Sequence, residues 1–230
     1  MKYFRHAPTA PKQWYEGDRG VRLDADRALL ARHYPSLKFV VDDSEKRVKI
    51  IGTLCLASDC GVSTPVAVEI RLPRDYPSSE PLAYDAERLF RPAPGKIIED
   101  RHICSNGQFC LWLPPNSRWS TDDPQALLPF LDELSVFLDR QLIYDETGEW
   151  PGPHYDHGPH GYRQFIVEQL HGDVDLFLKL RPVIAGEVAV GRNEICLCGS
   201  GIKFKRCHAG AVAAIQRRVG LDKVKAACRN

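Results

Sequence analysis

The chain has 230 residues, 43% of them hydrophobic and 27% charged, which is enough for one medium-sized core and a small appendage. Its formal net charge of +1 gives no global field that would attract nucleic acid. No apolar run reaches membrane-spanning length, and the N-terminal segment is polar, so we expect a cytoplasmic protein without a secretory signal or a membrane partner.

The predicted elements begin with an irregular arm over residues 1–15 and a helix over Asp18–His33, which Tyr34-Pro35 ends. Alternating apolar residues then predict three strands of an antiparallel meander. These strands lie at Leu37–Val41, Arg47–Leu56 and Thr64–Leu72, with a turn at Asp59-Cys60-Gly61 between the last two.

A long proline-punctuated stretch follows the meander, and it contains Cys110. Proline removes a backbone donor and fixes φ, so we expect this stretch to be mostly loop. Loops of this length inside a domain are usually functional. Two amphipathic helices follow, one from Pro124 at its first position to about Leu142 and one from about Tyr162 to Leu180, where Pro182 ends it.

The eight cysteines are distributed unlike a disulfide framework, and without an export signal we expect reduced thiols. Cys110 stands at the end of the sequence SNGQFC, just after an Asn-Gly turn and before a hydrophobic run. The hypothesis is that Cys110 is a nucleophile whose reactive form is the thiolate. The alternatives are that Cys110 is a buried small hydrophobe, or that Cys104 is the nucleophile instead.

Three short motifs in this order resemble the ubiquitin-conjugating enzyme (UBC) family over about Asp18 to Leu180. They are the Pro-Tyr-Pro-like set Leu72-Pro73, Tyr76-Pro77 and Pro81, then Ser105-Asn106-Gly107 with Cys110-Leu111, and then Trp119-Ser120. The resemblance implies an α+β, UBC-like fold with an N-terminal helix, an antiparallel meander sheet and C-terminal helices. It also implies that Cys110 carries an acyl group as a thioester.

The site residues around Cys110 follow from that resemblance. The family's His-Pro-Asn triplet is replaced by Asp100-Arg101-His102, so His102 stands where an asparagine is usual. His102 either favours the thiolate, as Arg101 and Arg118 could, or donates a hydrogen bond to the oxyanion. Asn106 belongs to the same catalytic set. Asp122 and Asp123 lie where an acid of the family orients the incoming amine, and their other interpretation is helix capping.

A further set of residues resembles bacterial UBC-like proteins of CBASS antiphage operons: Trp150-Pro151-Gly152, His157-Gly158 and Gly161. This resemblance implies that the acyl donor is the C-terminal glycine of a cyclic-nucleotide synthase (CD-NTase) or of a ubiquitin-like protein. A separate activating enzyme is needed, because a free carboxylate does not form a thioester unaided and the sequence has no Gly-rich nucleotide loop.

The C-terminal segment contains the pattern C-x-C-x8-C-H, formed by Cys196, Cys198, Cys207 and His208. Four such ligands suit a structural tetrahedral zinc ion, and Gly199-Ser200-Gly201 allows the turn that brings the pairs together. The alternative is a redox-active thiol cluster. The residues resemble the SEC-C motif, which implies docking to a protein or ribosome. His154, His157 and His160 are further candidate metal ligands, but the glycines and prolines between them do not favour one helical face.

The sequence thus predicts a conjugating domain over residues 1–182, a linker over 183–190 and a zinc knuckle with a short basic helix and tail over 191–230. This tail carries nine Lys/Arg against two acids, or +7. Two other functions stay open: a non-catalytic UBC-like adaptor with a zinc hook, and a nucleic-acid-associated zinc protein. The second is disfavoured, because the tail lacks aromatic stacking residues.

Overall fold

The computed structural model describes residue 15 and residues 18–42, 44–57 and 63–229, which contain six α-helices and four β-strands. The helices are α1 (Asp18–His33), α2 (Leu127–Thr147), α3 (Pro159–Gln169), α4 (Val174–Ile184), α5 (Ala209–Val219) and α6 (Leu221–Cys228). The strands are β1 (Leu37–Asp42), β2 (Arg47–Ala57), β3 (Ser63–Leu72) and β4 (Leu82–Asp85). Three 3₁₀ turns lie at Ile98–Arg101, Pro114–Asn116 and Phe204–Arg206.

These elements belong to two compact units, each of which is described separately. The first unit comprises the described residues of Met1–Leu111 together with Arg118–Pro151, and the second comprises Trp112–Ser117 and the described residues of Gly152–Asn230. The predicted domain bounds therefore do not coincide with the compact units, since α3 and α4 group with the C-terminal residues.

The sheet of the first unit is an antiparallel meander with the strand order β1-β2-β3-β4. Ile50 lies opposite Ile70 and Val48 opposite Leu72, and these four side chains are buried. Because successive side chains of a strand point to opposite faces, this register gathers the apolar positions of two strands on one face. The alternation that predicted the three long strands therefore also identifies the core face.

Helix α2 covers the core of the first unit with a continuous apolar stripe. Its buried residues recur at helical spacing along three turns and beyond: Leu127, Phe130, Leu131, Leu134, Phe137 and Leu138. The helix begins at Leu127 rather than near Pro124, and it ends at Thr147 rather than near Leu142. Its residue Ala126 supplies no side-chain cap, so Asp122 and Asp123 do not cap α2 as was expected.

The second unit corrects the prediction of one long helix over Tyr162–Leu180. The chain instead forms α3 and α4, because His171 and Gly172 adopt positive φ and the Asp173 carboxylate accepts the Leu176 N–H at 2.8 Å. Pro182 lies inside α4 rather than after it. The buried face of α4 continues past Pro182 through Val183 and Ile184, which explains why the helix does not stop.

Helices α3 to α6 share one apolar cluster with residues of the predicted zinc knuckle. Cys196, Phe204 and Val212 are buried in the same cluster as Phe165 and Leu180. The knuckle is thus part of the core of the second unit. Val183, Ile184 and Ala185, which were expected to begin a linker, are buried there too. The predicted helix over Ala209–Val219 is confirmed.

Two expectations lie outside the described residues. These are the irregular arm over residues 1–15, apart from Tyr15, and the turn at Asp59-Cys60-Gly61. In the part of the chain that the structure describes, no helix combines the length and the hydropathy that crossing a membrane requires.

Candidate functional site

Cys110 lies at the end of a small hairpin that extends the sheet of the first unit beyond β4. We call residues 102–110 the Cys110 hairpin. Phe109 donates its N–H to the Ala83 carbonyl at 2.9 Å, and Asp85 donates to the Gly107 carbonyl at 3.1 Å. Within the hairpin, Ile103 pairs with Phe109. The position of Cys110 is therefore fixed by backbone hydrogen bonds to β4 as well as by its own hairpin.

The turn of the hairpin is made by Asn106 and Gly107. Gly107 has a φ of +86°, a conformation that glycine adopts without steric cost, and its N–H donates to the Cys104 carbonyl at 2.8 Å. The Asn106 side-chain oxygen accepts the Gln108 N–H at 3.0 Å. The structure thus gives Asn106 a turn-forming contact, and its catalytic role stays a prediction.

Alternation along the hairpin separates core residues from cysteines. Ile103 and Phe109 are buried, and the Phe109 ring lies 5.1 Å from that of Phe137 between ring centres. Cys104 and Cys110 occupy the other positions and are half-buried, with their Sγ atoms 3.1 Å apart. Cys104 and Cys110, the two alternative candidates for the nucleophile, are therefore direct neighbours.

The Cys110 thiol is held in its protonated form. Burial raises its pKa to about 12, assisted by the hydrogen bond and the charge of Cys104 and by the charge of Glu99. A thiol with that pKa is neutral near pH 7, so the resting site presents no thiolate. This differs from the expectation that nearby cations would activate Cys110.

The two arginines considered as activators contact other groups. Arg101 is buried, and its guanidinium donates to the Gln141 side chain at 2.8 Å and pairs with Asp145 at 2.6 Å. Arg118 is exposed and reaches Glu133 at 3.4 Å. Arg101 therefore anchors the start of the hairpin to α2, which is a positioning role.

His102 contributes its backbone to the site. The residue has a φ of +56°, and its carbonyl accepts the Cys110 N–H at 2.8 Å. Its ring packs against Trp150, with ring centres 4.7 Å apart. The structure thus places His102 beside Cys110 along the hairpin, and neither proposed role of the imidazole is decided by these contacts.

The first and third motifs of the UBC resemblance contact each other. The Trp119 indole N–H donates to the Pro77 carbonyl at 2.9 Å, and its ring centre lies 5.7 Å from that of Tyr76. The Tyr76 hydroxyl in turn donates to the Asp26 carboxylate at 2.6 Å. Residues that are far apart in the sequence therefore form one packed group.

Asp26 is a structural residue that the sequence prediction missed. It is fully buried, and it also accepts a hydrogen bond from Arg22 at 3.0 Å. Burial raises the pKa of Asp26, although the Tyr76 hydroxyl and Arg22 oppose that shift. A signal was available, since Asp26 lies between Leu23 and Leu30 on the buried face of α1.

Asp122 and Asp123 lie in the turn before α2. The Asp123 carboxylate accepts the Gln125 N–H at 2.8 Å, and its carbonyl accepts a hydrogen bond from Arg22 at 3.0 Å. Asp122 is exposed. Asp123 therefore stabilises the turn, and the amine-orienting role of either acid stays a prediction.

The second unit brings the four predicted metal ligands together. The ligand atoms of Cys196, Cys198, Cys207 and His208 all lie within 4.8 Å of one another. The Cys198 and Cys207 sulfurs are 3.6 Å apart, and His208 Nδ1 lies 3.1 Å from Cys207 Sγ and 3.4 Å from Cys196 Sγ. We call these four residues the metal cluster.

The donor set fits a tetrahedral ion. Zinc–sulfur bonds of about 2.3 Å and tetrahedral angles place ligand atoms about 3.7 Å apart, close to the distances in the cluster. Four protein ligands leave no open position, which is typical of a structural site. His154, His157 and His160 form no comparable group in the described part of the chain.

The local fold explains how the ligands converge. The Cys196 N–H donates to the Ile202 carbonyl at 2.9 Å, and Gly199 and Gly201 adopt positive φ in the turn between them. The Ser200 hydroxyl lies 3.2 Å from Cys198 Sγ. Burial raises the pKa of Cys196 to about 11. At Cys198 burial acts in the same direction, but hydrogen bonds from Ser200 and the neighbouring thiols outweigh it and lower the pKa to about 6.

Comparisons with known proteins agree on this segment. Residues 192–210 match the SEC-C motif. The chain is 51% identical over 35 residues to the protein translocase subunit SecA of Myxococcus xanthus (strain DK1622), which is 15% of this chain and 4% of SecA. It is 56% identical over 36 residues to SecA of Pseudomonas fluorescens (strain Pf0-1), again 4% of that protein. The similarity to SecA is thus confined to a short segment.

Among solved structures, the chain is similar to the yeast vps23 UEV domain in complex with a vps27 PSDP peptide. The match covers 60% of this chain and 86% of that chain at 17% identity, with a TM-score of 0.39. A TM-score of this size decides nothing about the fold. The UBC-like fold therefore stays a prediction from the motif residues.

Proposed function

We propose that the first unit is a UBC-like domain in which Cys110 carries the acyl group of a protein's C-terminal glycine as a thioester. The observation that carries the proposal is the hydrogen bond from Trp119 to the Pro77 carbonyl, 42 residues away in the sequence. It joins two motifs on which the resemblance depends. The order of helix, antiparallel meander, cysteine hairpin and long helix supports the same proposal.

The proposed reaction has two transfers. In the first, the Cys110 sulfur attacks an activated thioester, its proton passes to the departing thiolate, and the new thioester and a free thiol result. In the second, an amine attacks that thioester, an amide forms, and Cys110 regains a proton. A separate activating enzyme supplies the first thioester, because neither transfer provides the energy to activate a carboxylate.

The raised pKa of Cys110 suits a carrier. A thiolate leaves less readily as its pKa rises, so an acyl group moves favourably from a more acidic thiol onto Cys110. The same property slows loss of the acyl group until an amine is positioned. Burial, the largest cause of the pKa shift, also limits access of water to the sulfur.

The remaining predicted residues receive roles in this scheme. His102 donates a hydrogen bond to the oxyanion of either transfer, or shifts the thiol towards thiolate. Asn106 holds the turn that presents Cys110. Asp122 and Asp123, which lie in the turn that Arg22 contacts, orient the incoming amine. Each role is a proposal, and variants at these positions separate loading from transfer.

The biological setting we propose is antiphage defence of the CBASS type in the cytoplasm. The acyl donor is then a CD-NTase or a ubiquitin-like protein, and neither a membrane nor a nucleic acid takes part. The metal cluster holds a structural zinc ion. The exposed basic residues around it, Lys203, Lys205 and Arg206, form a surface that recruits a protein partner.

A peptide that ends in a glycine thioester tests the chemistry without a named donor. The purified protein is incubated with this peptide and analysed by intact mass under non-reducing conditions. We expect one peptide adduct that dithiothreitol removes, that Cys110→Ala abolishes and that Cys110→Ser converts to a dithiothreitol-resistant ester. Cys104→Ser and Cys55→Ser are matched controls that should retain the adduct.

An adduct that persists in Cys110→Ala and disappears in Cys104→Ser would reassign the carrier to Cys104. A wild-type protein that forms no adduct, while a free cysteine peptide in the same tube does, would contradict the proposal. His102→Ala then distinguishes the roles of the imidazole: normal loading with slow transfer to an amine supports the oxyanion contact.

A non-catalytic adaptor is the second candidate, and one observation favours it. The Cys110 thiol is half-buried, paired with Cys104 and neutral, which also describes a packing cysteine. In that case the first unit is a binding platform and the second recruits the partner. The two candidates differ in the peptide assay, because the adaptor forms no thioester on Cys110.

A further inference from the structure

We propose that Cys104 and Cys110 form a reversible intramolecular disulfide in response to hydrogen peroxide and that this bond closes the acyl-carrying site. The regulatory consequence rests on the proposed function, whereas formation of the disulfide does not. The observation behind the proposal is the 3.1 Å separation of the two Sγ atoms.

The geometry of the hairpin favours this bond. Ile103 pairs with Phe109, and Cys110 donates its N–H to the His102 carbonyl, so Cys104 and Cys110 occupy diagonal positions of an antiparallel pair. A disulfide has a sulfur–sulfur distance of about 2.05 Å, so the two sulfurs need to approach by only about 1 Å. The Asn106-Gly107 turn has already closed the intervening loop, so little chain entropy opposes the bond.

The chemistry balances with peroxide as the oxidant. One cysteine sulfur attacks a peroxide oxygen, which gives a sulfenic acid and one water molecule. The second sulfur then displaces the sulfenic hydroxyl, which leaves with a proton as a second water molecule. Two thiols and one peroxide thus give one disulfide and two waters, and a dithiol reductant restores both thiols.

The other described cysteines lie in different surroundings. Cys55 is exposed on β2, Cys228 is buried in α6, and the remaining three belong to the metal cluster. Cys60 lies outside the described residues, so it is replaced by serine in every variant used for the test. These differences make the Cys104–Cys110 disulfide separable from other thiol oxidation by peptide mapping.

The hairpin sequence makes the measurement direct. Trypsin cleaves after Arg101 and Arg118 and finds no site between them, so both cysteines lie on one peptide over residues 102–118. The zinc-loaded Cys60→Ser protein is treated with peroxide, blocked with iodoacetamide, digested and analysed by mass spectrometry. We expect this peptide to lack both alkyl groups and to weigh two hydrogen atoms less than the dithiol form. Dithiothreitol should restore two alkylation sites.

Cys104→Ser is the matched variant, since it keeps Cys110 and removes its neighbour. Without a partner thiol, its peptide over residues 102–118 should not show the two-hydrogen mass loss that peroxide causes in the parent protein. Only the parent protein should therefore lose the ability to form the glycyl-peptide adduct on oxidation and regain it on reduction. Zinc content, measured in parallel, shows whether the metal cluster is left intact.

The outcomes separate the two proposals. A peptide 102–118 that keeps both thiols, while glutathione in the same sample is oxidised, overturns the disulfide. If the disulfide forms but the reduced protein accepts no glycyl group, the disulfide proposal stands and the acyl-carrier proposal is wrong. An oxidised protein that still forms the adduct on Cys110 shows that the bond does not close the site.

Discussion

The two cysteine groups of this molecule differ in what surrounds their sulfur atoms. In the first unit, Cys104 and Cys110 form a pair on a hairpin whose other face is buried against aromatic rings. In the second unit, the sulfur atoms of Cys196, Cys198 and Cys207 and a ring nitrogen of His208 all lie within 4.8 Å of one another. Sulfur pairs without further ligands favour covalent chemistry, whereas four convergent donors favour a metal.

The surroundings also determine protonation. Burial keeps the Cys110 thiol neutral, with its pKa raised to about 12. Hydrogen bonds around Ser200 have the opposite net effect at Cys198 and favour its thiolate, the form that binds a metal. The same residue type thus meets opposite environments: the first unit favours its neutral thiol at Cys110, and the second favours its thiolate at Cys198.

Loss of a metal ligand should have the largest effect. Binding free energies of structural zinc are on the order of 10 kcal/mol, and Cys196 and Phe204 share the core of the second unit. Cys207→Ala should therefore abolish zinc binding and broaden or remove cooperative unfolding of the second unit. Zinc per chain and near-ultraviolet circular dichroism measure both effects. Cys110→Ser, the matched control, should retain one zinc ion per chain.

The pH dependence of alkylation should reveal the raised pKa of Cys110. The ordinary thiol pKa is 9.0, and that of Cys110 is about 12, so at pH 9 only about one Cys110 in a thousand is a thiolate. Its reaction with iodoacetamide should keep accelerating above pH 9, and Cys104→Ser should increase its rate at neutral pH. A plateau below pH 9 in the wild-type protein contradicts the assignment.

The same shift affects stability with a definite sign. Because the pKa of Cys110 is raised in the folded state, the neutral thiol favours folding below pH 9, and this contribution is lost as the pH rises towards 12. Cys110→Ser should show a weaker loss of stability over that interval. Urea unfolding at several alkaline pH values measures the difference.

Arg101→Met should lower the free energy of unfolding by about 3 kcal/mol, because it removes buried, charged hydrogen bonds between the hairpin and α2. Urea unfolding measures the change. Arg118→Met is the control: the Arg118 side chain is 79% exposed, so the change should stay within about 0.5 kcal/mol. Equal effects of the two variants would show that Arg101 does not anchor the hairpin.

Gly107→Ala should have the smallest effect on stability, about 1 kcal/mol, because a side chain there meets no atom within 4 Å and only the positive φ is strained. Gly95→Ala carries the same strain at another turn and is the matched control. Only Gly107→Ala should also reduce the yield of the Cys104–Cys110 disulfide, measured on the tryptic peptide over residues 102–118.

Much of the fold was predictable where one periodicity persists. The bounds of α1 match the prediction, and the three long strands agree within one residue at each end, because alternation and turn residues mark them. β4 was missed, since its four residues pair through tertiary contacts and follow Pro81 directly. The break between α3 and α4 was missed although Gly172-Asp173 is a turn and cap signal.

The candidate sites were also predictable only where local spacing determines them. The metal cluster was predicted because short-range spacing decides which of its four ligands converge: Cys196, Cys198, Cys207 and His208. The contact between Cys104 and Cys110 was not predicted, since it depends on the pairing of Ile103 with Phe109. The hydrogen bond from Arg101 to Gln141 could not be predicted either, because it joins residues that are 40 positions apart in the sequence.

The intact mass of the reduced protein after incubation with a glycine-thioester peptide shows whether Cys110 carries an acyl group. We expect one dithiothreitol-sensitive adduct that maps to Cys110, persists in Cys104→Ser and is absent from Cys110→Ala. A protein that binds zinc and unfolds cooperatively, yet forms no adduct on Cys110, is not an acyl carrier.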